Sequence, residues 1–203
     1  VGGLDIYMTK QLPDGMWALP QNLSTINTPQ NEDFPTLSPD GKTLYFVRGL
    51  TFDRQRRSPD NQDIYSTHIT KTGWSKPVRL SSVINTPYRE ESVQIHPDGQ
   101  TLYFSSNGHE GMGGLDIFMS RKDDNGNWTK PVNMGYPLNT YMDENSILIS
   151  SKGDLGYFSS NRPGGFGSLD LYSFEISEKF KPVPTTFVKG FVFDEDDLHP
   201  LEA

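Results

Sequence analysis

Four short motifs recur in the same order along this chain, at a spacing of 53 to 58 residues. One is an aspartate followed by alternating apolar residues, at Asp5, Asp63, Asp116 and Asp170. The others are a tryptophan three residues before a proline (Trp17, Trp74, Trp128), an Asn-Thr pair after an aliphatic residue (Asn27, Asn85, Asn139) and a Tyr-Phe pair (Tyr45, Tyr103, Tyr157). Self-similarity at a fixed period of this length indicates an array of structural repeats.

Each period is predicted to hold four short strands. Residues 34–38 lead through the turn at 39–41 into a returning strand at 43–47, because Pro, Asp and Gly supply tight-turn geometry. Residues 63–69 and 74–80 are the predicted third and fourth strands. With 19 Gly, 15 Pro and 12% aromatic residues, this pattern predicts an all-β fold, a partial β-propeller of four-stranded blades with about three full repeats visible.

Strand alternation sorts the connections between two rims of the predicted propeller. The tight turns, at Pro-Asp-Gly and before each tryptophan, fall on one rim. The Asn-Thr connections and the long glycine-rich loops fall on the other, which we call the long-loop rim. Binding residues concentrate on long loops held by a rigid scaffold, so we expect function on the long-loop rim.

Composition excludes several classes of function. The net charge of -8 disfavours nucleic-acid binding, because a phosphate backbone is repelled. The chain has no cysteine, which rules out disulfides and thiol catalysis. No apolar run approaches the roughly 20 residues of a membrane-spanning helix, so we expect no transmembrane segment. No histidine-rich metal spacing is present, and we predict no metal site and no cofactor.

The turn and the glycine-rich loop carry a family resemblance that covers about residues 1 to 175. Residues 38–46, and 105–107 followed by 113–118, resemble the WD40-like PD40 repeats of TolB-type propellers, especially those in OmpA-family cell-envelope proteins. Two positions depart from the pattern: residues 47–49 replace Ser-Ser-Asn in the first copy, and residues 151–153 replace Pro-Asp-Gly in the third.

The array stops after Tyr172, since no fourth tryptophan follows. We predict propeller blades over residues 1–178, a linker over 179–186, and over 187–203 the start of a β-sandwich, where residues 188–194 are similar to the opening of carboxypeptidase-regulatory-like domains. Closed propellers typically have about 4 to 8 blades, so we expect further blades upstream.

The repeated carboxylates have two interpretations. Asp5, Asp63, Asp116 and Asp170 each stand where a loop enters a strand, where a short carboxylate can accept loop amide bonds, so we favour a structural role over ligand binding. Glu32, Glu90 and Glu144 each lie five residues after the repeated asparagine. They are either a ring that attracts cations at the channel mouth or, as we favour, loop braces.

A catalytic site needs residues in different roles, so it must break the repeat. Phe46 precedes Asp63 by 17 residues, whereas Phe104 and Phe158 each precede the next repeated aspartate by 12. The longer loop contains Arg54, Arg56 and Arg57, which can bind carboxylates or phosphate or simply be solvated. His109, Glu110 and Arg162 are further candidates for a partner-binding face.

We predict that the chain is not an enzyme. The resemblance implies a protein-binding or scaffolding module of a periplasmic, outer-membrane-associated OmpA-family protein, whose partners are envelope proteins and, through other domains, peptidoglycan. Some such proteins belong to the type IX secretion machinery. The alternative is a propeller-fold glycoside hydrolase or carbohydrate-binding module, and a hydrolase needs two carboxylates at roughly 5 to 9.5 Å.

Overall fold

The structure is a computed structural model that describes residues 3–49 and 61–186. Its described part consists of short β-strands and one 3-10 turn at Glu178–Phe180. The fourteen strands are β1 (Tyr7–Met8), β2 (Gln21–Asn22), β3 (Asn31–Leu37), β4 (Thr43–Gly49), β5 (Gln62–Thr70), β6 (Gly73–Trp74), β7 (Val78–Arg79), β8 (Glu90–Ile95), β9 (Thr101–Ser106), β10 (Asp116–Arg121), β11 (Val132–Asn133), β12 (Glu144–Ile149), β13 (Leu155–Ser160) and β14 (Asp170–Glu175). The prediction of an all-β chain is confirmed.

The strands form successive antiparallel sheets, one for each sequence period. Blade 1 is β3-β4-β5 with β7 outside β5, blade 2 is β8-β9-β10-β11, and blade 3 is β12-β13-β14. A preceding pair, β1 and β2, holds the third- and fourth-strand positions of a further blade. The first strands of adjacent blades contact one another, β3 with β8 and β8 with β12, so they converge on a common axis. This is the predicted partial propeller.

The predicted fourth strand over residues 74–80 is wrong in one respect, because it is two strands. Trp74 extends the hairpin at the end of β5 by pairing with Ile69, and only β7 occupies the outer edge of the blade. Pro77 separates the two segments, since proline has no N–H to donate to a ladder. In the neighbouring periods Trp17 and Trp128 make isolated bridges at the same place.

The core consists of apolar clusters between neighbouring blades. Trp128 from blade 2 packs edge-on against Tyr45 of blade 1, with ring centroids 6.1 Å apart. Blade 3 has no tryptophan of its own, and Phe180 takes its place in the cluster between blades 2 and 3. Tyr103, the counterpart of Tyr45, donates its hydroxyl to the Phe180 carbonyl oxygen at 2.8 Å. Blade 3 therefore keeps its inter-blade aromatic residue.

The residues after Phe180 lie along the tight-turn rim. The Val183 amide donates to Asp98 at 3.0 Å, and the Thr185 amide donates to the Ser151 carbonyl at 3.4 Å. The predicted linker over 179–186 is thus bonded to the blades in its described part. The predicted β-sandwich start at 187–203 lies outside the described residues.

Candidate functional site at the inner strands

The repeated glutamates brace the connection that leads into each inner strand. Glu90 accepts two hydrogen bonds from Thr86, from its amide at 2.9 Å and from its hydroxyl at 2.7 Å, and a third from Ser106 at 2.9 Å. Glu32 and Glu144 accept the same pair from Thr28 and Thr140. All three carboxylates are buried, and burial raises the pKa of Glu90. These are the bonds of a loop brace.

The repeated aspartates fall into two groups. Asp116 accepts hydrogen bonds from the Met112 and Gly113 amides, and burial raises its pKa. Asp170 accepts the matching bonds from residues 166 and 167. Asp63 instead pairs with Arg79 at 2.6 Å, and Asp5 accepts from Asn22 at 3.2 Å. The glycine-rich loops are therefore held by the first group, whereas the second group ties the third strand of a blade to the fourth.

Arg162 is bonded inside blade 3. Its guanidinium donates to the Leu138 carbonyl at 2.6 Å and to Glu144 at 3.1 Å, and it lies over the rings of Phe158 and Tyr172. These contacts add charge-assisted hydrogen bonds and cation–π attraction to the brace. A role for Arg162 in partner binding stays a prediction.

Arg48 and His109 occupy the equivalent niche in blades 1 and 2. Arg48, which replaces the serine of the other copies, donates to Glu32 at 2.8 Å and to the Ile26 carbonyl at 2.5 Å. The His109 Nε2 atom lies 2.7 Å from the Ile84 carbonyl oxygen. Three residues from different sequence positions thus bind the same carbonyl of the repeat. Glu110, next to His109, is exposed.

The predicted basic cluster of Arg54, Arg56 and Arg57 lies outside the described residues. Its role in binding stays a prediction.

Repeated asparagines form a clamp that sequence reasoning missed. Asn85 accepts from the Ile64 amide at 2.8 Å and donates to the Ile64 carbonyl at 2.9 Å. Asn27 clamps Ile6 and Asn139 clamps Ile117 in the same way. The side-chain amide thereby replaces a strand partner on the outer edge of β5 and β10, and at Ile6 directly before β1. The recurrence of these asparagines at one period was the sequence signal that could have predicted the clamp.

The inner strands are the first strands of the blades, β3, β8 and β12. They carry residues that differ in type from blade to blade and that also contact the neighbouring blade. Asp33, Glu91 and Asn145 each follow a repeated glutamate, so they are equivalent in the fold but differ in chemistry. Asn145 of blade 3 donates to Glu91 of blade 2 at 2.9 Å, and Arg89 pairs with the same carboxylate. These differing side chains break the repeat as a functional site must.

Each inner strand has a bulge directly after this position. Phe34, Ser92 and Ser146 all adopt positive φ, at 48°, 51° and 55°, and the strand register shifts there. Positive φ is energetically unfavourable for residues other than glycine. Bulges of this kind change the direction of side chains and are common next to active sites. Between the three bulges lies a groove of about 260 Å³, lined by residues 34–36, 92–94 and 146–148.

Asp33 is the perturbed acid of this site. Burial, with the charges of Glu91 and Glu32, raises the pKa of Asp33 to about 6. One of its oxygens is buried and has no hydrogen-bond partner among the described residues. A carboxyl group that protonates near pH 6 therefore stands near Glu91, which is paired with a cation. Such a pair can donate and accept protons or bind polar ligands.

Residues 3–49 and 61–186 contain no group of three His, Cys, Asp or Glu side chains placed to hold an ion. Over the same residues, no helix has the length and hydrophobicity to cross a membrane.

No protein-family profile and no curated protein matches this chain. Solved structures do match, among them TolB from Acinetobacter baumannii, 18% identical with a TM-score of 0.53 over 85% of this chain and 35% of that one. A TolB-type protein from Agrobacterium tumefaciens is 18% identical with a TM-score of 0.51, over 84% of this chain and 57% of its own. A puromycin-hydrolysing peptidase from Mycobacterium tuberculosis is 14% identical with a TM-score of 0.51, over 87% and 30%.

The chain therefore spans about a third to just over half of the length of these proteins. At such identities the likeness shows the fold, a TolB-like β-propeller.

Proposed function

We propose that this chain is part of a non-enzymatic protein-binding propeller in a periplasmic, outer-membrane-associated protein of the OmpA family. The observation that carries the proposal is a set of exposed apolar side chains on the long-loop rim. Its members, which we call the exposed rim residues, are Tyr88, Met112, Tyr141 and Phe166. Aromatic residues and methionine are enriched where proteins bind one another.

The exposed rim residues stand on loops that the repeated residues hold in place. Met112 and Phe166 each lie four residues before an aspartate that binds the loop amides. The loop of Met112 contacts the connection of Tyr141, where the Gly114 amide donates to the Met142 carbonyl at 3.1 Å. Phe166 is fully exposed. A rigid scaffold thus presents large apolar groups to solvent, which is costly without a partner to cover them.

A photo-crosslinking amino acid at Phe166, introduced into the full protein in cells, tests this proposal. The matched control places the same group at Asn125, an exposed residue in the tight turn of blade 2 on the opposite rim. We expect an identified envelope protein to be captured from position 166 and not from position 125. Equal capture from both positions, or none from position 166, contradicts the proposal. Fractionation of the same cells tests the periplasmic location.

A glycoside hydrolase is the second candidate, and the inner-strand pair favours it. Glycosidases use two carboxyl groups, of which the acid has a raised pKa. Burial and the charges of Glu91 and Glu32 raise the pKa of Asp33, and Glu91 is the second carboxyl group. Hydrolysis of a glycan panel that is lost in both Asp33→Asn and Glu91→Gln supports this candidate. Activity that survives either substitution, or its absence from the unaltered protein, contradicts it.

A further inference from the structure

Residues 181–185 run along the tight-turn rim as an extended segment, which we call the strap. Lys181 has extended backbone angles, with φ −63° and ψ 129°, and both Lys181 and Val183 precede a proline, which favours this conformation. A proline-rich segment is stiff, but stiffness alone does not hold it to one direction. The contacts between the strap and the rim therefore decide whether it moves independently of the blades.

Blade 2 holds the start of the strap. The Tyr103 hydroxyl donates to the carbonyl oxygen of Phe180 at 2.8 Å, and the Arg121 guanidinium donates to the carbonyl oxygen of Lys181. These two bonds come from neighbouring strands, β9 and β10. The chain is thus fixed at two successive residues where it leaves blade 3.

The tight turn of blade 2 holds the middle of the strap. Asp98 accepts a hydrogen bond from the Val183 amide at 3.0 Å, and its side chain is only 1% exposed. Its counterpart in blade 1, Asp40, is exposed and bonds Ser38 and Lys42 of its own turn. The aspartate of blade 2 therefore has a second role, because it also binds a segment far along the chain.

The tight turn of blade 3 is shaped for the same segment. Pro182 is buried, and a Cβ atom at Gly153 would lie 2.5 Å from its Cδ atom. Gly153 has a φ of +70°, and Gly41, at the same place in the turn of blade 1, has a φ of +67° with no atom within 4 Å of its Cβ position. Both turns need glycine for their backbone, but only Gly153 also makes room for the strap.

The last bonds of the strap reach the same turn, and the two turns are joined to each other. Thr185 donates to the Ser151 carbonyl oxygen from its amide at 3.4 Å and from its hydroxyl at 3.2 Å. The fully buried His96 of blade 2 places its Nε2 atom 3.0 Å from the Ser150 carbonyl oxygen of blade 3. The strap therefore lies on a surface whose two halves are fixed relative to one another.

We infer that the tight turns of blades 2 and 3 form a docking site for the strap, and that this docking fixes the direction in which the chain leaves the blades at residue 186. The default for a module that ends in a free linker is independent motion, which the docked strap prevents. The inference stands apart from the proposed function, because the docking site lies on the tight-turn rim and contains none of the exposed rim residues.

A distance between two spin labels on the whole chain tests the inference. The chain has no cysteine, so Thr186→Cys and Asn125→Cys place one label directly after the strap and one on an exposed turn of blade 2. We expect a single narrow distance distribution from pulsed electron paramagnetic resonance. A broad distribution in the otherwise unaltered chain overturns the inference.

Two pairs of variants separate docking from general destabilisation. Gly153→Ala strains the turn and displaces Pro182, so it should broaden the distribution, whereas Gly41→Ala strains an equivalent turn and should leave it narrow. In the second pair, Pro182→Gly removes the buried ring and should broaden the distribution more than Pro184→Gly, at an exposed proline. Equal effects within both pairs overturn the inference.

Hydrogen exchange of the same proteins measures the bonds of the strap directly. We expect the Val183 amide to exchange at least about tenfold more slowly than the Thr186 amide, since Asp98 holds the first. Gly153→Ala should remove this difference and Gly41→Ala should keep it, with both variants folded as judged by protection of β9. Equal exchange of the two amides in the unaltered chain, or a difference that Gly153→Ala leaves intact, contradicts a docked strap.

Discussion

Tyr103 of blade 2 donates a hydrogen bond to the carbonyl oxygen of Phe180, and this contact closes blade 3 at the point where a tryptophan closes the other blades. The Phe180 side chain is buried among residues of two blades. Its position sets where blade 3 ends and where the chain begins to follow the tight-turn rim.

Phe180→Ala should therefore destabilise the fold. Removing a buried phenylalanine side chain costs about 3 to 5 kcal/mol in the free energy of unfolding, because packing is lost and a cavity is left. Urea denaturation measures the change. Phe166→Ala, at a fully exposed phenylalanine, is the control and should change the free energy by less than about 0.5 kcal/mol. Equal effects of the two substitutions contradict the assignment of Phe180 to the core.

Asn85→Ala should cost about 2 to 4 kcal/mol, because the Ile64 amide and carbonyl lose their partner in a buried site. The same urea titration measures this change. Asn125→Ala, in an exposed turn, should have almost no effect. A change below about 0.5 kcal/mol for Asn85→Ala shows that the clamp is dispensable.

Asp33 should make the fold less stable as the pH rises. Its folded pKa, about 6, lies above the unfolded value of about 3.9, so the folded state holds the proton more tightly between these values. The protonated Asp33 side chain thus favours the folded state over the unfolded state. This contribution to the free energy of unfolding is complete below about pH 4 and is lost as the pH rises through about 6. Asp33→Asn should remove this slope and raise the unfolding midpoint at pH 7, whereas Asp124→Asn, an exposed control, should keep the slope. An unchanged slope in Asp33→Asn contradicts the shift.

Asp98 should make the fold less stable as the pH falls, which is the opposite of the pH dependence expected from Asp33. Burial alone raises the pKa of Asp98, but the nearby His96 ring and hydrogen bonds from Thr101 and the Gln100 amide outweigh burial and hold the pKa well below its usual value. The stabilisation is present above the unfolded pKa of about 3.9 and is lost as the pH falls below it. Asp98→Asn should cost about 2 kcal/mol at pH 7 and flatten the acid limb of the unfolding curve. An acid limb that Asp98→Asn leaves unchanged excludes this carboxylate as its origin.

Much of the fold follows from the repeat, because one period fixes four strands, their turns and their rims. The split of the fourth strand was missed because Trp74 and Val78 both suit a strand, and only Pro77 marks the break. Phe180 was missed because packing accepts another aromatic residue at a shifted position, which a search for tryptophan does not find.

The candidate site was harder to predict than the scaffold. Asp33, Glu91 and Asn145 are equivalent in space but share no residue type, so they do not form a repeated motif. The raised pKa of Asp33 depends on burial and on charges from two blades, which only the packed structure brings together. Side-chain burial also decides which residues brace a loop, such as the buried Glu90, and which are exposed to solvent, such as Phe166.

The affinity of the envelope protein captured from position 166 for the Phe166→Ala variant is the most direct measure of the proposed role. Because Phe166 is fully exposed, its loss leaves the fold intact and removes only contacts with a partner. An aromatic interface residue whose loss costs about 2 kcal/mol weakens binding roughly 30-fold, and we predict a loss of at least tenfold with an unchanged unfolding midpoint. An affinity equal to that of the unaltered protein contradicts a partner-binding rim.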